Sequence, residues 1–266
     1  MNDAVIGLRG AGLSYPDRPL WHDLDLDVRP GEFLAVLGPN GSGKTSFLRI
    51  LLGLQQLTDG TVHIAGQPPR RGSDLIGYIP QHKELLPHTP LRARDLVRLG
   101  IDGHRWGPRR GGAAVRARVT QALREVGAEP YADVPLHLMS GGEQQRVRVA
   151  QALATDPRIL LCDEPLLSLD LHHQRAVTDL IDRRRRDHDT AVVFVTHEIN
   201  SIQRVADRVL YLTGGRFRIG TPDEVMTTEV LSELYRTHIE VVHTQGRIMV
   251  IGATDPATDV SGATTP

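Results

Sequence analysis

The sequence predicts an α/β fold with a mostly parallel sheet flanked by helices. Two observations carry that expectation. Short apolar runs such as ILLCDE and AVVFVTH are continuous rather than alternating, the pattern of strands covered on both faces. They are interleaved with stretches of helical spacing, KTSFLRILLGL and HHQRAVTDLIDRRRRD, and strands alternating with helices build a parallel sheet with crossovers.

Taken in order, the first 37 residues read as short strands with turns. LDLDV alternates apolar and polar residues, and EFLAVLG is a mostly apolar run that ends in glycine. A helix is expected from Lys44, followed by strand-like TVHIAG and LIGYIP. From about Leu91 to Gly127 the chain looks helical, interrupted by the loop GHRWGPRRGG. A second α/β portion starts near Arg158. The tail, residues 253–266, is small and polar and is expected to be disordered. No internal repeat is visible.

Composition narrows the classes. Acidic and basic residues nearly cancel, 32 against 31, which argues against a general polyanion binder and predicts no nucleic-acid partner. No run reaches the roughly 18 apolar residues that a membrane-spanning helix needs, and the first residues lack the basic start and apolar stretch of a secretory signal. The single cysteine, Cys162, sits in apolar RILLCDEP and reads as an inert buried thiol suited to a reducing compartment. The arginines at 183–186 stand between Asp182 and Asp187 and read as a solvated helix face. The twelve histidines are scattered, without the paired spacing of a metal site.

The phosphate chemistry is explicit. GPNGSGKT, residues 38–45, fits G-x-x-x-x-G-K-[ST] between an apolar strand and a helix. Glycines allow torsions in which successive N–H groups turn toward phosphate oxygens, and the following helix aims its positive end at them. Lys44 can reach the β- and γ-phosphates, and Thr45 can ligate Mg²⁺. This is a nucleotide site and predicts a P-loop NTPase core.

RILLCDEP supplies the second part. Asp163 ends a buried strand, placed to hold Mg²⁺ through its water shell. Glu164 follows where the chain can turn, bringing both carboxylates to the phosphate edge. It is the natural group to orient or deprotonate an attacking water. With Asp163 alone, a kinase or switch GTPase would stay open; the adjacent glutamate favours hydrolysis. His197, at the end of AVVFVTH, is placed to hydrogen-bond the γ-phosphate and hold the water in line.

A further helix starts at Ser140-Gly141-Gly142-Glu143. Ser140 is a good N-cap and Glu143 completes a capping box, which leaves Gly141 and Gly142 unexplained, since glycine weakens a helix by about 1 kcal/mol against alanine.

Together these residues resemble the ATP-binding subunit of an ABC transporter over residues 15–215, about three quarters of the chain. The family's motifs occur in order. The Walker A loop supplies Gly38, Pro39, Asn40, Gly41, Ser42, Gly43, Lys44 and Thr45, with Ser46 beside them. Gln81 in YIPQ matches the Q-loop glutamine, residues 140–143 the signature, Asp163 and Glu164 the Walker B end, Asp170 the D-loop, and His197 the switch histidine. Tyr15 falls where the family places an aromatic on adenine. The signature here is Met-Ser-Gly-Gly-Glu in place of Leu-Ser-Gly-Gly-Gln, and the D-loop is Leu-Ser-Leu-Asp in place of Ser-Ala-Leu-Asp. The latter change leaves Asp170 matched and puts a contribution from Leu167 in doubt.

The resemblance implies an antiparallel β subdomain and an α-helical subdomain, about residues 82–157, inserted in a RecA-like core, all within one domain over residues 1–252. It also implies a head-to-tail dimer, of two copies or with a paralogue, that sandwiches two ATP molecules. Each site would join one subunit's Walker A to the other's Ser140, Gly141, Gly142, Glu143 and Asp170. The bare signature backbone would lie against a phosphate held by the partner. Gln81 would link Mg²⁺ and the water to the helical subdomain, which would receive a permease at the cytoplasmic face of the membrane.

No fused membrane segment, tandem ATPase or long coiled coil between Thr45 and Ser140 is present, which points to a stand-alone subunit of a multi-protein transporter. YIPQHKELLPHTPLRARDLVRLG resembles the importers of zinc, manganese or ferrous iron, which work with an extracytoplasmic solute-binding protein. An iron-siderophore importer, an efflux system with a separate permease, and a soluble ABC-type regulatory switch are the alternatives. His82 and His88 read as polar surface in preference to a metal sensor.

Overall fold

The computed structural model describes residues 4–16, 18–81, 91–103 and 112–252; His82, His88 and the tail 253–266 lie outside them. The N-terminal strands are longer than the sequence suggests. β1 (Ile6–Tyr15) pairs antiparallel with β2 (Arg18–Val28) and, across its other edge, with β4 (Asp59–Ile64). This small sheet packs over a second, six-stranded one.

The large sheet contains β3 (Phe33–Leu37), β5 (Ile76–Ile79), β6 (Ile159–Asp163), β7 (Ala191–Val195), β8 (Arg208–Thr213) and β9 (Arg216–Gly220). Their order is β5-β6-β7-β3-β8-β9, parallel except for β9. Every residue of β3, β6 and β7 is buried, as expected of strands covered on both faces.

Alternate residues feed two cores, because successive strand side chains point to opposite faces. Phe33, Ala35, Leu160, Cys162, Val192 and Phe194 join a cluster with the helices, in which Phe33 and Phe194 stack at 5.5 Å. Leu34, Val36, Leu161 and Val193 join Trp21, Leu24 and Phe47 against the small sheet, where Trp21 meets Phe47 edge-on. Each fully buried side chain of this size contributes about 1.5–3 kcal/mol. Burial raises the Cys162 thiol far above its ordinary range, consistent with an inert core residue.

The helices are α1 (Lys44–Leu51), α2 (Ala93–Asp102), α3 (Ala113–Glu125), α4 (Gly141–Leu153) and α5 (Leu171–His188). Val97, Leu123 and Val149, from α2, α3 and α4, belong to the same cluster as Leu160 and Phe194. The segment between β5 and β6 therefore shares one core with the sheet. Beyond β9 come α6 (Pro222–Val225), α7 (Thr228–Tyr235) and a hairpin of β10 (Glu240–Thr244) and β11 (Arg247–Ile251). Among the described residues no helix is long and apolar enough to cross a membrane.

The arginine run corrects the sequence reading. Only Arg183 and Arg186 are exposed, while Arg184 is buried and Arg185 largely so. Arg184 donates to Asp156 and Thr190, and Arg185 to Asp182, Asp207 and the carbonyl of Gly31. The helical period carries Arg184 to the same side as Ile181, so that part of the run binds α5 to the core's rim.

Candidate active site

The phosphate loop forms where β3 ends. Gly38 has φ 140°, and a β-carbon there would stand 2.0 Å from the carbonyl oxygen of Leu212 on the neighbouring β8. No other residue fits. Gly41 and Gly43 also adopt positive φ, and Gly43 lies just before α1, so the helix N-terminus opens onto the loop. Lys44 is buried, and its Nζ donates to the carbonyls of Gly38 at 2.7 Å and Pro39 at 3.0 Å. The Ser42 hydroxyl is buried and has no hydrogen-bond partner among the described residues.

At the loop's edge Thr45 Oγ1 lies 3.4 Å from Asp163 Oδ1, and Tyr78 on β5 places its hydroxyl 3.4 Å from Asp163 Oδ2. Burial, opposed by the Thr45 hydrogen bond, raises the Asp163 carboxyl above its ordinary value. Burial first, then the Asp163 charge, pushes Tyr78 up to about 12. A hydroxyl and a carboxylate oxygen at this spacing are a hard-oxygen donor set of the kind magnesium prefers.

The chain turns sharply at Glu164, whose φ is 47° and whose N–H donates to Val195 at the end of β7. The turn sends the carboxylate to the same edge as Asp163, and Oε2 stands 3.2 Å from His197 Nδ1. The pair follows from register: Asp163 on β6 faces Val195 on β7, and Glu164 and His197 follow within two residues of that pairing.

Thr45, Glu164 and His197 line two adjoining cavities. One, of 370 Å³, is bounded by Tyr15, Arg18, Asn40, Gly41, Gly43, Lys44, Thr45, Ser46, Gln81 and Glu164. The other, of 620 Å³, takes in Gly38, Pro39, Asn40, Gln81, Glu164 and His197 and is closed by Tyr211, Met226, Tyr235, Ile248 and Val250. Asn40, Gln81 and Glu164 stand on both. Tyr15 is half exposed, its hydroxyl 3.5 Å from Ser46 Oγ and accepting from Gln55.

The structure adds Arg18, beside Gly41, and Tyr78 to the residues named from sequence. Tyr78 stands in the YIPQ stretch that marked Gln81, so a signal for it was at hand; Arg18 had none. The C-terminal wall was also missed. Asn200 ties it to the segment after His197, donating to the Ile248 carbonyl at 2.9 Å and accepting the Ile248 N–H at 2.8 Å.

The helix start at Ser140 stands apart: Ser140, Gly141, Gly142, Glu143 and Asp170 line neither cavity. The capping box forms, with Ser140 Oγ accepting from the Glu143 N–H and Glu143 Oε2 accepting from the Ser140 hydroxyl and N–H. Those bonds, the hydroxyl's first, hold Glu143 below the ordinary carboxylate range. Asp170 caps α5 and is likewise lowered, first by the His173 N–H.

A family model described as ABC transporter matches residues 21–167. The zinc import ATP-binding protein ZnuC of Pseudomonas entomophila (strain L48) is 34% identical over 237 residues, 88% of this chain and 85% of that protein. ZnuC of Pseudomonas putida matches equally, at 34% over 237 residues. Among solved structures, an inward-facing ABC transporter assigned to the metal-chelate type superposes with a TM-score of 0.79 at 25% identity, covering 93% of this chain and 96% of the other. The ATP-binding cassette MJ0796, a post-hydrolysis dimer bound to ADP and Pi, gives 0.67 at 29% identity over 81% and 98% of the two chains.

Proposed function

The chain belongs to the ABC transporter family, and from that premise we propose that this ATPase powers import of zinc, or of manganese or ferrous iron, through a membrane permease. The similarity to zinc import ATP-binding proteins across 88% of the chain supports the cargo. The observation that carries the hydrolytic role is the convergence of Thr45, Asp163, Glu164 and His197 at the mouth of the phosphate loop.

In this reading the N–H groups of residues 38–45 hold the phosphates, helped by the Ser42 hydroxyl. Lys44 exchanges its carbonyl partners for phosphate oxygens. Thr45 and Asp163, with Gln81 nearby, would hold Mg²⁺, which when bound draws charge from the phosphates as the bond to the γ-phosphate breaks. Glu164 accepts the proton of the attacking water, and His197 orients that carboxylate and reaches toward the γ-phosphate. Tyr15 offers its exposed ring to the adenine, with Ser46 holding its hydroxyl.

Ser140, Gly141, Gly142, Glu143 and Asp170 act on the nucleotide of a second subunit, a copy of this chain or a paralogue. Their absence from the lining of their own chain's cavities supports this, as does the dimeric state of MJ0796. The arrangement is one domain over residues 1–252, in which the part at about 82–157 receives the permease at the cytoplasmic face of the membrane. An extracytoplasmic solute-binding protein would deliver the metal.

The likeness to a metal-chelate type transporter favours a second reading, import of a chelated metal. Metal content and uptake in cells lacking the protein separate the two. The first predicts depleted cellular zinc, manganese or iron restored by the free ion at high concentration. Normal levels of the free ions with lost uptake of a chelate would favour the second.

A further inference from the structure

The first turn of α4 rests on the start of α5, and one imidazole makes the join. Both carboxylate oxygens of Asp170 are committed to His173: Oδ1 accepts its backbone N–H at 2.9 Å, and Oδ2 lies 2.8 Å from its ring Nδ1. The ring so held lies flush on Gly142. A β-carbon built on Gly142 would stand 2.2 Å from Cδ2 and 2.7 Å from Nε2 of His173. Gly142 is buried inside α4, where ordinary helical torsions suit any L residue and glycine is a poor choice. Its neighbour Gly141 has room: the nearest atom to its β-carbon would be Leu169 Cδ2, at 4.0 Å.

We infer that His173 is a positioning residue, locking the segment 140–143 to the loop that carries Asp170 so that both meet the partner's nucleotide as one rigid surface. Gly142 is glycine because the imidazole occupies the space of its side chain. The assignment rests on the proposed reading in which both segments act on the second subunit's site. It separates two reasons for the glycine pair. Gly141 is left bare with open space beside it, whereas Gly142, whose backbone still belongs to the surface offered to the partner, lacks a side chain because a neighbour in its own chain fills that space.

The test uses the full chain with Gly142→Ala, His173→Ala and the double variant. Each is assayed for steady-state ATP hydrolysis, ATP affinity and thermal unfolding. A displaced signature segment in Gly142→Ala should lower kcat on the order of 100-fold. Loss of the lock in His173→Ala should lower kcat about tenfold, with ATP affinity changed less than about twofold, because the binding loop lies elsewhere. The double variant should match His173→Ala, since the alanine methyl then has space, and such non-additivity marks residues in contact. Should Gly142→Ala fail to fold, recovery of folded protein by His173→Ala is the same test. A double variant as impaired as Gly142→Ala, or worse, overturns the inference and makes the partner's nucleotide, not His173, what excludes a side chain at Gly142. An unmutated chain that hydrolyses no ATP in any assembly would instead defeat the functional reading on which it rests.

Discussion

Replacing Arg184 by alanine should destabilise the protein by about 3 kcal/mol, while Arg183→Ala on the next position should stay within about 0.5 kcal/mol. The Arg184 side chain is 4% exposed; Nη2 reaches Asp156 Oδ1 at 2.5 Å, and Nε reaches the buried Thr190 hydroxyl at 3.2 Å. Breaking a fully buried pair costs about 3–5 kcal/mol, but Asp156 is 61% exposed, so it rehydrates, and it keeps Arg118 at 3.8 Å. The ion pair is therefore discounted to about 1 kcal/mol. The Thr190 hydrogen bond adds about 1 kcal/mol, and lost packing of the aliphatic stem about 1 kcal/mol more. In a chain of this size that lowers Tm by about 6–12 °C. Arg184→Met keeps the stem and should lose about two thirds as much.

Thermal unfolding followed by circular dichroism measures both. The Arg184 hydrogen bond, ahead of the smaller charge effects, depresses the Asp156 carboxyl. A depressed folded pKa gives stability that is present above the unfolded value near 3.9 and lost as pH falls through the folded one. The gap in Tm between unmutated and variant protein should thus hold steady from pH 8 to about 5 and narrow below about 4. A Tm for Arg184→Ala within 1 °C of Arg183→Ala would refute the buried network and restore the solvated-face reading.

Two further perturbations probe the site's walls. Gly38→Ala must push a methyl into the Leu212 carbonyl at a φ that alanine rarely adopts, so ATP affinity should fall on the order of 100-fold; equilibrium titration checks it, and a change under threefold would contradict the geometry. Asn200→Ala removes two hydrogen bonds to Ile248, which should weaken local protection of residues 240–251 by about 2 kcal/mol, or roughly 30-fold in amide exchange. Unchanged exchange there would show that the hairpin is held by other contacts.

The parts of the site legible in the sequence were those carried by local runs. Residues 38–45 act through their own backbone, so their spacing is the chemistry. Asp163 and Glu164 were legible because a buried strand ends there. The pairing of Glu164 with His197 depends on β6 and β7 being neighbours, which no local pattern states. Arg18 reaches the cavity from another strand and was missed for the same reason, whereas Tyr78, which meets Asp163 from β5, stood in a stretch that was already marked. Arg184 was misread because its nearest acids in sequence, Asp182 and Asp187, are not the acids it binds; Asp156 lies 28 residues away. The C-terminal hairpin escaped notice because its strands are mostly exposed, with little apolar periodicity to mark them. The capping box of Ser140 and Glu143 was readable over four residues, but the imidazole above Gly142 comes from the next helix.

The most direct measurement is a comparison of ATP binding and single-turnover hydrolysis in Glu164→Gln. Glutamine keeps the shape and an oxygen for His197 to contact, and removes only the base. Loss of a general base lowers hydrolysis by about 10²–10⁴-fold. The account predicts a fall in that range, with ATP affinity changed less than about threefold and an ATP-bound dimer accumulating. Hydrolysis by Glu164→Gln at the unmutated rate would contradict it.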